Sequence, residues 1–246
     1  MNTQQGKNRL LLAFFALLLS IPMSIFTSCS DDDNNESIDK VITLNVGGIH
    51  YTGSDGNWIS DNKYIASATY NTINGNRAGE TVIRSSSGNI KVIVLATNFN
   101  YEEPILAFGE SKDSIKNAMA TSTLISEANN SLNFEGTDNI KNYLYEFKSD
   151  DKTMIRASFI VDNAYWEDLS AFLQQRYMPI YSVPISIPMD NQNWSMTIMA
   201  DPTLQTEVIV LRSSSEVYVS YSPYADSTTN VVKKAKADAR KLLRNK

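Results

Sequence analysis

Short runs of alternating apolar and polar residues, separated by turn residues, constrain the fold of this chain more than any other feature. Between residues 38 and 98 these runs read VITLNV, KYIASATYN, TVIRS and IKVIVLAT, and the segments between them contain GSDGN, NGN and SSSGN. Alternation with a period of two is typical of strands with one buried face, and clusters of Gly, Asn and Ser favour tight turns. We therefore expect a small β-sandwich over residues 38–98.

Beyond residue 102, two segments with helical periodicity stand among further strand-like runs. The first, GESKDSIKNAM, has Ser111 as its expected N-cap, and the second, NAYWEDLSAFLQQRY, has Asn163 in that role. In the second segment Leu169, Phe172 and Leu173 share one side of a helix. We expect this apolar stripe to pack against a sheet.

The two helical segments also mark an internal repeat. At an offset of 54 residues, Ile115 aligns with Leu169, Leu124 with Met178, and Met154 with Val208. In both copies a helix is followed by several strands. The pattern predicts a duplicated helix-then-sheet unit, with repeats at about 109–161 and 162–222, whose copies bury their apolar faces against each other.

The first 28 residues have the pattern of a secretory signal peptide. Lys7 and Arg9 precede the apolar run LLLAFFALLLSIPMSIF, which ends in small residues. The alternative is a transmembrane helix. The run is at the short limit for spanning a bilayer, Pro22 interrupts it, and no basic stop-transfer cluster follows it. The signal peptide is the preferred interpretation.

Cys29 is the only cysteine of the 246 residues, so no intramolecular disulfide can form. With the residues before it, Cys29 forms FTSC, which resembles the lipobox of bacterial lipoproteins. The resemblance implies that Cys29 becomes the acylated N-terminus of the mature protein, with fatty chains such as palmitate. Each methylene buried in the membrane would add about 0.8 kcal/mol to anchoring.

Residues 29–37 form a polar and acidic segment, which favours a flexible tether. The acids directly after the cysteine also resemble the export signal of surface lipoproteins in some Gram-negative bacteria, and both interpretations can hold. The residues of this expected signal are Ser30, Asp31, Asp32 and Asp33. The resemblance implies a lipid-anchored protein of the outer membrane, exposed on the cell surface.

Two further resemblances concern the fold. Trp58, SDN at 60–62, Ile65–Ala66, INGN and AGETVI resemble the bacterial Ig-like group 2 domain over about 60 residues, which implies a spacer or adhesive module. GESKDSI at 109–115 resembles the duplicated β-lactamase-inhibitor fold and small outer-membrane assembly lipoproteins. The expected fold class is therefore β followed by α+β, an Ig-like β-sandwich and then a duplicated helix-then-antiparallel-sheet domain at 102–226.

Residues that commonly carry catalysis are sparse. His50 is the only histidine, which excludes a multi-histidine metal site. SDN at 60–62 and SDDK at 149–152 come in the wrong order for penicillin-binding motifs and suit turns. No phosphate-binding loop is present. We predict no catalytic residue, cofactor or metal ligand, and the net charge of -5 argues against a nucleic-acid partner.

Tyrosines are the remaining candidates for ligand contacts. Tyr143, Tyr145 and Phe147 share one strand face, and Tyr218, Tyr221 and Tyr224 crowd the last strand. Such side chains either pack the sheet against the helices or form a platform for sugar rings. Core packing is the preferred interpretation.

The C-terminal segment, residues 227–246, has the pattern of a basic amphipathic helix. From 231 to 246 it holds seven basic residues and one acid. It either closes the domain or docks on an acidic partner or membrane, and we prefer the first. Taken together, the chain is predicted to be a non-enzymatic envelope lipoprotein that binds a protein or glycan at the cell surface. The alternative is a periplasm-facing envelope assembly or enzyme-inhibitor-like factor.

Overall fold

The computed structural model describes residues 37–53, 57–150, 152–181, 187–189, 192–203 and 205–224. Of these residues, 52% lie in strands and 11% in helices, and the strands form an open sandwich-like arrangement. Of the expected fold class, β followed by α+β, the predominance of strands is confirmed. The predicted signal peptide, Cys29 with the export signal at Ser30, Asp31, Asp32 and Asp33, and the basic helix at 227–246 lie outside the described residues.

Residues 38–98, called the N-terminal β region below, form two small sheets. The strands are β1 Lys40–Asn45, β2 Ile49–Tyr51, β3 Ile59–Ser60, β4 Ala66–Thr69, β5 Thr72–Gly75, β6 Gly79–Ser85 and β7 Gly88–Leu95. One sheet has the order β1-β7-β6-β3 and the other β2-β5-β4, and β1 runs parallel to β7. Their buried side chains form one cluster that includes Ile42, Ile73, Ile83 and Val92.

The alternation in the sequence places this cluster. In β7, Ile90, Val92 and Val94 are buried, whereas the residues between them are partly exposed. Gly75 in β5 allows the two sheets to approach closely, because a Cβ there would lie 2.8 Å from the carbonyl oxygen of Asn45.

Residues 102–224, called the C-terminal region, contain two helices and one large antiparallel sheet. The elements are α1 Lys112–Ala118, β8 Leu124–Ala128, β9 Ser131–Glu135, β10 Ile140–Phe147, β11 Met154–Asp162, α2 Trp166–Gln174, β12 Met178–Tyr181, β13 Ile187–Met189, β14 Gln192–Ala200, β15 Thr206–Arg212 and β16 Glu216–Pro223. The strand order is β12-β14-β15-β16-β11-β10-β9-β8, and β13 pairs with β14. No helix among the residues described here is long and apolar enough to cross a membrane.

One face of this sheet packs against both helices. Ile115 of α1 joins the same core cluster as Leu169, Phe172 and Leu173 of α2, each at most 1% exposed. The predicted packing of the α2 stripe against the sheet is thus confirmed. Tyr143, Tyr145 and Phe147 lie in this cluster too, so the core-packing interpretation of these aromatics is confirmed.

The other face of the sheet, called the second face, is buried where β14, β15 and β16 lie side by side. Because side chains alternate along a strand, Tyr218 belongs to this face while Tyr221 lies in the core with the helices. The second face also buries polar groups. Arg156 Nη1 donates to Glu146 Oε2 over 3.0 Å, with both side chains less than a tenth exposed.

The two helix starts differ from each other. Ser111 caps α1 as expected, since its Oγ accepts a hydrogen bond from Ser114 N at 3.1 Å. The expectation that Asn163 caps α2 is wrong. A 3-10 turn over Asn163–Tyr165 precedes the helix, and the Asp162 carboxylate caps that turn by accepting from Ala164 N at 2.9 Å. Asn163 Oδ1 instead accepts a hydrogen bond from Arg212 Nε.

The N-terminal β region and the C-terminal region meet at the C-terminal end of α2. Gln175 O accepts from Ala78 N at 2.8 Å, and Gln175 Oε1 accepts from the backbone N–H groups of Thr97 and Asn98 at 2.8 and 2.9 Å. The described residues from Ser37 onward belong to one compact unit, although the apolar clusters of the two regions are separate. A domain boundary between 98 and 102 stays a prediction.

Candidate functional site

A cavity of about 690 Å³ lies beside α2 and is called the α2 cleft. Its volume falls within the range of about 300–1,000 Å³ that is common for small-molecule sites. Three parts of the chain line it: the N-terminal β region, α2 with Gln175, and the sheet at β12, β14 and β15. The shape of the cleft therefore depends on two features: the contact between the two regions, and the end of the large sheet formed by β12, β14 and β15.

The helical wall of the cleft follows from a spacing of four residues. Trp166, Ser170 and Gln174 are each one helical turn apart and so lie along one side of α2. Gln174 Nε2 donates to Ser170 Oγ at 2.9 Å. This polar side of the helix differs from the side that bears Leu169 and Phe172, which is buried in the core.

The sheet wall is mostly apolar. Thr197 of β14 pairs with Val210 of β15, and Met199 pairs with Val208 on the same face. Met199 is 6% exposed and Val210 is 2% exposed. The cleft therefore has an apolar floor below a rim of hydroxyl and amide groups.

Trp166 is held in place by Arg212. The Arg212 guanidinium lies 4.6 Å from the centroid of the Trp166 ring, and its Nε donates to Asn163 Oδ1 at 2.7 Å. A guanidinium over an indole ring is attracted by the negative face of the ring. The two contacts fix the indole before any ligand arrives, which lowers the entropic cost of binding.

Arg77 supplies the charge of the cleft. Among the described residues that line the cavity, it is the only charged one. Its Nε donates to Tyr177 O at 3.1 Å, and its backbone N–H donates to Ile65 O at 3.1 Å. Within the part of the chain that the structure describes, no carboxylate forms an ion pair with it. The cleft is thus locally positive in a protein whose net charge is negative.

A buried hydroxyl–carboxylate cluster lies behind Arg77. Glu103 Oε1 accepts hydrogen bonds from the hydroxyl groups of Tyr177 and Tyr221, the latter at 3.3 Å. Burial first, and then the nearby Glu103 carboxylate, raise the pKa of both tyrosines. Both tyrosine hydroxyl groups therefore stay protonated and act as hydrogen-bond donors. Because the cluster fixes Tyr177, it also fixes the Tyr177 carbonyl group that accepts from Arg77 Nε.

The residues singled out in the sequence lie elsewhere. His50 is in β2, where its Nε2 lies 3.2 Å from Lys40 Nζ, and partial burial followed by the Lys40 charge lowers its pKa. Asp61 pairs with Arg84 at 2.9 Å, and Asn62 donates to Pro202 O at 2.7 Å. These contacts are structural.

Metal ligands do not come together in the described ranges. Among these residues no group of three or more His, Cys, Asp or Glu side chains could hold a metal ion.

The most exposed aromatics are not those that the strand pattern suggested. Tyr51, Tyr70 and Phe99 are 70%, 78% and 74% exposed. Tyr70 lies between β4 and β5 with φ at 50°. Arg77 and Trp166 were not among the residues predicted from the sequence. The spacing of four residues between Trp166, Ser170 and Gln174 in the sequence indicates that they share one side of a helix. The residues next to Arg77 in the sequence give no indication that it lines a cavity.

The α2 cleft is therefore a preformed, positively charged pocket with an apolar floor, and it is the candidate binding site. Comparison of the chain with protein-family models, with curated proteins and with solved structures finds no match.

Proposed function

We propose that this protein is a non-enzymatic lipoprotein of the cell envelope that binds a glycan or protein ligand in the α2 cleft. In this proposal a lipid on Cys29 anchors it to the outer membrane, and the acids at 31–33 direct it to the cell surface. The observation that carries the binding role is the α2 cleft itself, a pocket of about 690 Å³ between the two regions.

The side chains of the cleft support binding rather than catalysis. Acid–base catalysis needs a proton donor or acceptor poised at the reacting group, and nucleophilic catalysis needs an activated nucleophile. The described residues that line the cleft offer amides, hydroxyls and one guanidinium, without His, Cys, Lys, Asp or Glu. Apolar floors with a few placed polar groups are typical of sites that orient a ligand.

The binding role is tested with the full-length protein in detergent and an array of neutral and acidic oligosaccharides and peptides. We expect Trp166→Ala to weaken binding of the captured ligand by at least about tenfold, because the fixed wall of the pocket is lost. Tyr165→Ala is the matched control, since Tyr165 is the exposed neighbour and does not line the cleft. Equal loss in both variants, or capture that neither variant affects, contradicts the proposal.

The anchor is tested separately in cells. Cys29→Ala should abolish labelling with a palmitate analogue and release the protein from membranes at high salt. Replacement of Asp31, Asp32 and Asp33 by Ala should keep the lipid but reduce antibody labelling of intact cells. A Cys29→Ala variant that still fractionates with membranes would disprove the anchor.

One observation favours the alternative of an assembly or inhibitor-like factor that faces the periplasm. Strand β8 is an edge of the large sheet, and all five of its residues are exposed, including Ile125 at 52%. Exposed edge strands can accept a strand from a partner protein. Protease treatment of intact cells separates the two functions, because a periplasm-facing protein would be protected.

We also propose that residues 38–98 form an Ig-like domain and that the C-terminal region arose by duplication. The two small sheets around one core support the first idea. For the second, α1 and α2 are each followed by strands of the sheet, and β11 pairs with β16 at its centre. The offset of 54 residues joins the first residues of β8 and β12, but it joins β11 to β15 rather than to β16.

A further inference from the structure

The unused hydrogen-bonding capacity of Arg77 indicates what the α2 cleft can bind. A guanidinium has five N–H donors. Among the described residues, the Arg77 side chain makes one hydrogen bond, from Nε to Tyr177 O. Its Nη1 and Nη2 groups form no hydrogen bond within this part of the chain, and Arg77 lines the cavity.

Arg77 is also held in place from several directions. Its backbone N–H donates to Ile65 O, and the next residue, Ala78, donates to Gln175 O at 2.8 Å. Arg77 Nε donates to the carbonyl oxygen of Tyr177, and Tyr177 is itself fixed because its hydroxyl group donates to Glu103. A guanidinium fixed in this way loses little further entropy when it binds an anion.

Other arginines of the structure are engaged differently. Arg84 forms a two-pronged pair with Asp61, with Nε at 2.9 Å from Oδ1 and Nη2 at 3.0 Å from Oδ2. Arg156 is paired with Glu146. Guanidinium groups commonly bind carboxylates in this bidentate way, through two parallel N–H···O hydrogen bonds. Arg77 has the same chemistry and lines a pocket whose other described lining residues include no acid.

We infer that the ligand of the α2 cleft is an acidic carbohydrate, one sugar carboxylate of which pairs with Arg77. This inference rests on the proposed binding function. The hydroxyl and amide groups of Ser170, Gln174 and Thr197 match a ligand rich in hydroxyls. The half-buried Trp166 and the exposed Pro179 offer an apolar surface to the C–H face of a sugar ring. A peptide with a free C-terminal carboxylate would use Arg77 as well but would not need the row of neutral polar groups.

The test compares ligands that differ only in charge. D-glucuronate and its neutral amide, D-glucuronamide, are titrated separately into the ¹⁵N-labelled full-length protein in detergent, and NMR shifts give each dissociation constant. N-acetylalanine and its amide form the peptide arm. Because hydrogen bonds to charged groups are the strong ones, we expect glucuronate to bind about 10- to 100-fold more tightly than glucuronamide.

Variants assign this preference to one residue. Arg77→Gln should abolish the preference for glucuronate, and Arg77→Lys should restore part of it. Arg84→Gln is the matched control, because it removes the same charge from the same region outside the cleft. The control should keep the full preference.

Three results would overturn the inference. If glucuronate and glucuronamide bound equally well and both shifted NMR signals of α2, the cleft would bind glycans, but the ligand carboxylate would play no part in binding. If N-acetylalanine bound more tightly than glucuronate, and Arg77→Gln weakened that binding, the ligand of the cleft would be a peptide carboxylate rather than a carbohydrate. Absence of shifts at α2 with all four compounds would contradict both the inference and the proposed binding function.

Discussion

The N-terminal β region and the C-terminal region bury their strands to different extents. The two small sheets of the first enclose one cluster and leave side chains such as Val41, Ile49 and Ile59 more than half exposed. In the large sheet of the second, strands β15 and β16 are buried on both faces, with Tyr218 at 1% and Tyr221 at 0% exposure. Small units bury a smaller fraction of their surface and are less stable on their own. The difference indicates that the N-terminal β region relies on the end of α2 for part of its order.

The largest expected effect concerns the core of the C-terminal region. Phe172→Ala removes a ring that is 1% exposed and contacts the Tyr101 ring edge-on at 5.5 Å. We expect the free energy of unfolding to fall by about 3–5 kcal/mol, measured by denaturant titration. Phe99→Ala is the matched control, since Phe99 is 74% exposed and should change stability by less than about 1 kcal/mol. Similar losses in both variants would show that α2 is not central to the core.

One ion pair in each region provides a second comparison of the C-terminal region with the N-terminal β region. Glu146→Ala removes the carboxylate of the buried ion pair with Arg156 on the second face, so we expect the free energy of unfolding to fall by about 3–5 kcal/mol. Asp61→Ala breaks the exposed pair with Arg84, whose side chains are 38% and 44% exposed, and should cost at most about 1 kcal/mol. Chemical denaturation of both variants gives the two values. A larger cost for Asp61→Ala than for Glu146→Ala would reverse the comparison.

The junction should show a smaller and local effect. Gln175→Ala deprives the backbone N–H groups of Thr97 and Asn98 of their acceptor, which we expect to cost about 1–2 kcal/mol. Hydrogen exchange at residues 97 and 98 should accelerate by about tenfold or more. Gln174→Ala is the neighbouring control, because its side chain bonds only to Ser170 among the described residues. Unchanged exchange in Gln175→Ala would mean that the two regions do not depend on this contact.

The smallest expected effect lies at the exposed edge strand β8. Hydrogen bonds from Lys112 and Lys116 lower the pKa of Glu127 to about 2. A lowered pKa in the folded state means that the contribution to stability is present above the unfolded pKa, near 4.5, and is lost as the pH falls towards 2. Carbon-13 NMR of the Glu127 carboxyl group should show a midpoint near pH 2, and this midpoint should rise in the double variant Lys112→Met, Lys116→Met. A midpoint near 4.5 in the unmodified protein would contradict this network.

Local patterns predicted the elements well where one physical signal dominated. The spacing of Leu169, Phe172 and Leu173 located α2 and its buried side, and the alternation in IKVIVLAT located β7. The cap at Ser111 was also found. Asn163 was misassigned because β11 extends to Asp162, whose carboxylate reaches the turn first.

The candidate site could not be predicted in the same way. Arg77 and Trp166 are far apart in the sequence, and only the packing of the N-terminal β region on the end of α2 brings them to one cavity. Tertiary contacts of this kind leave no periodic signal. Clusters of His, Cys and acids indicate catalytic or metal sites, whereas the described lining of the cleft offers amides, hydroxyls and one arginine.

The central claim is that a ligand binds in the α2 cleft and contacts both regions at once. The most direct measurement is hydrogen–deuterium exchange of the full-length protein in detergent, with and without saturating D-glucuronate. We expect slower exchange in two separate segments, residues 76–78 of the N-terminal β region and residues 170–176 around the end of α2. Slower exchange in only one of these segments, or only at β8 or the exposed strands β1 and β2, would contradict the claim.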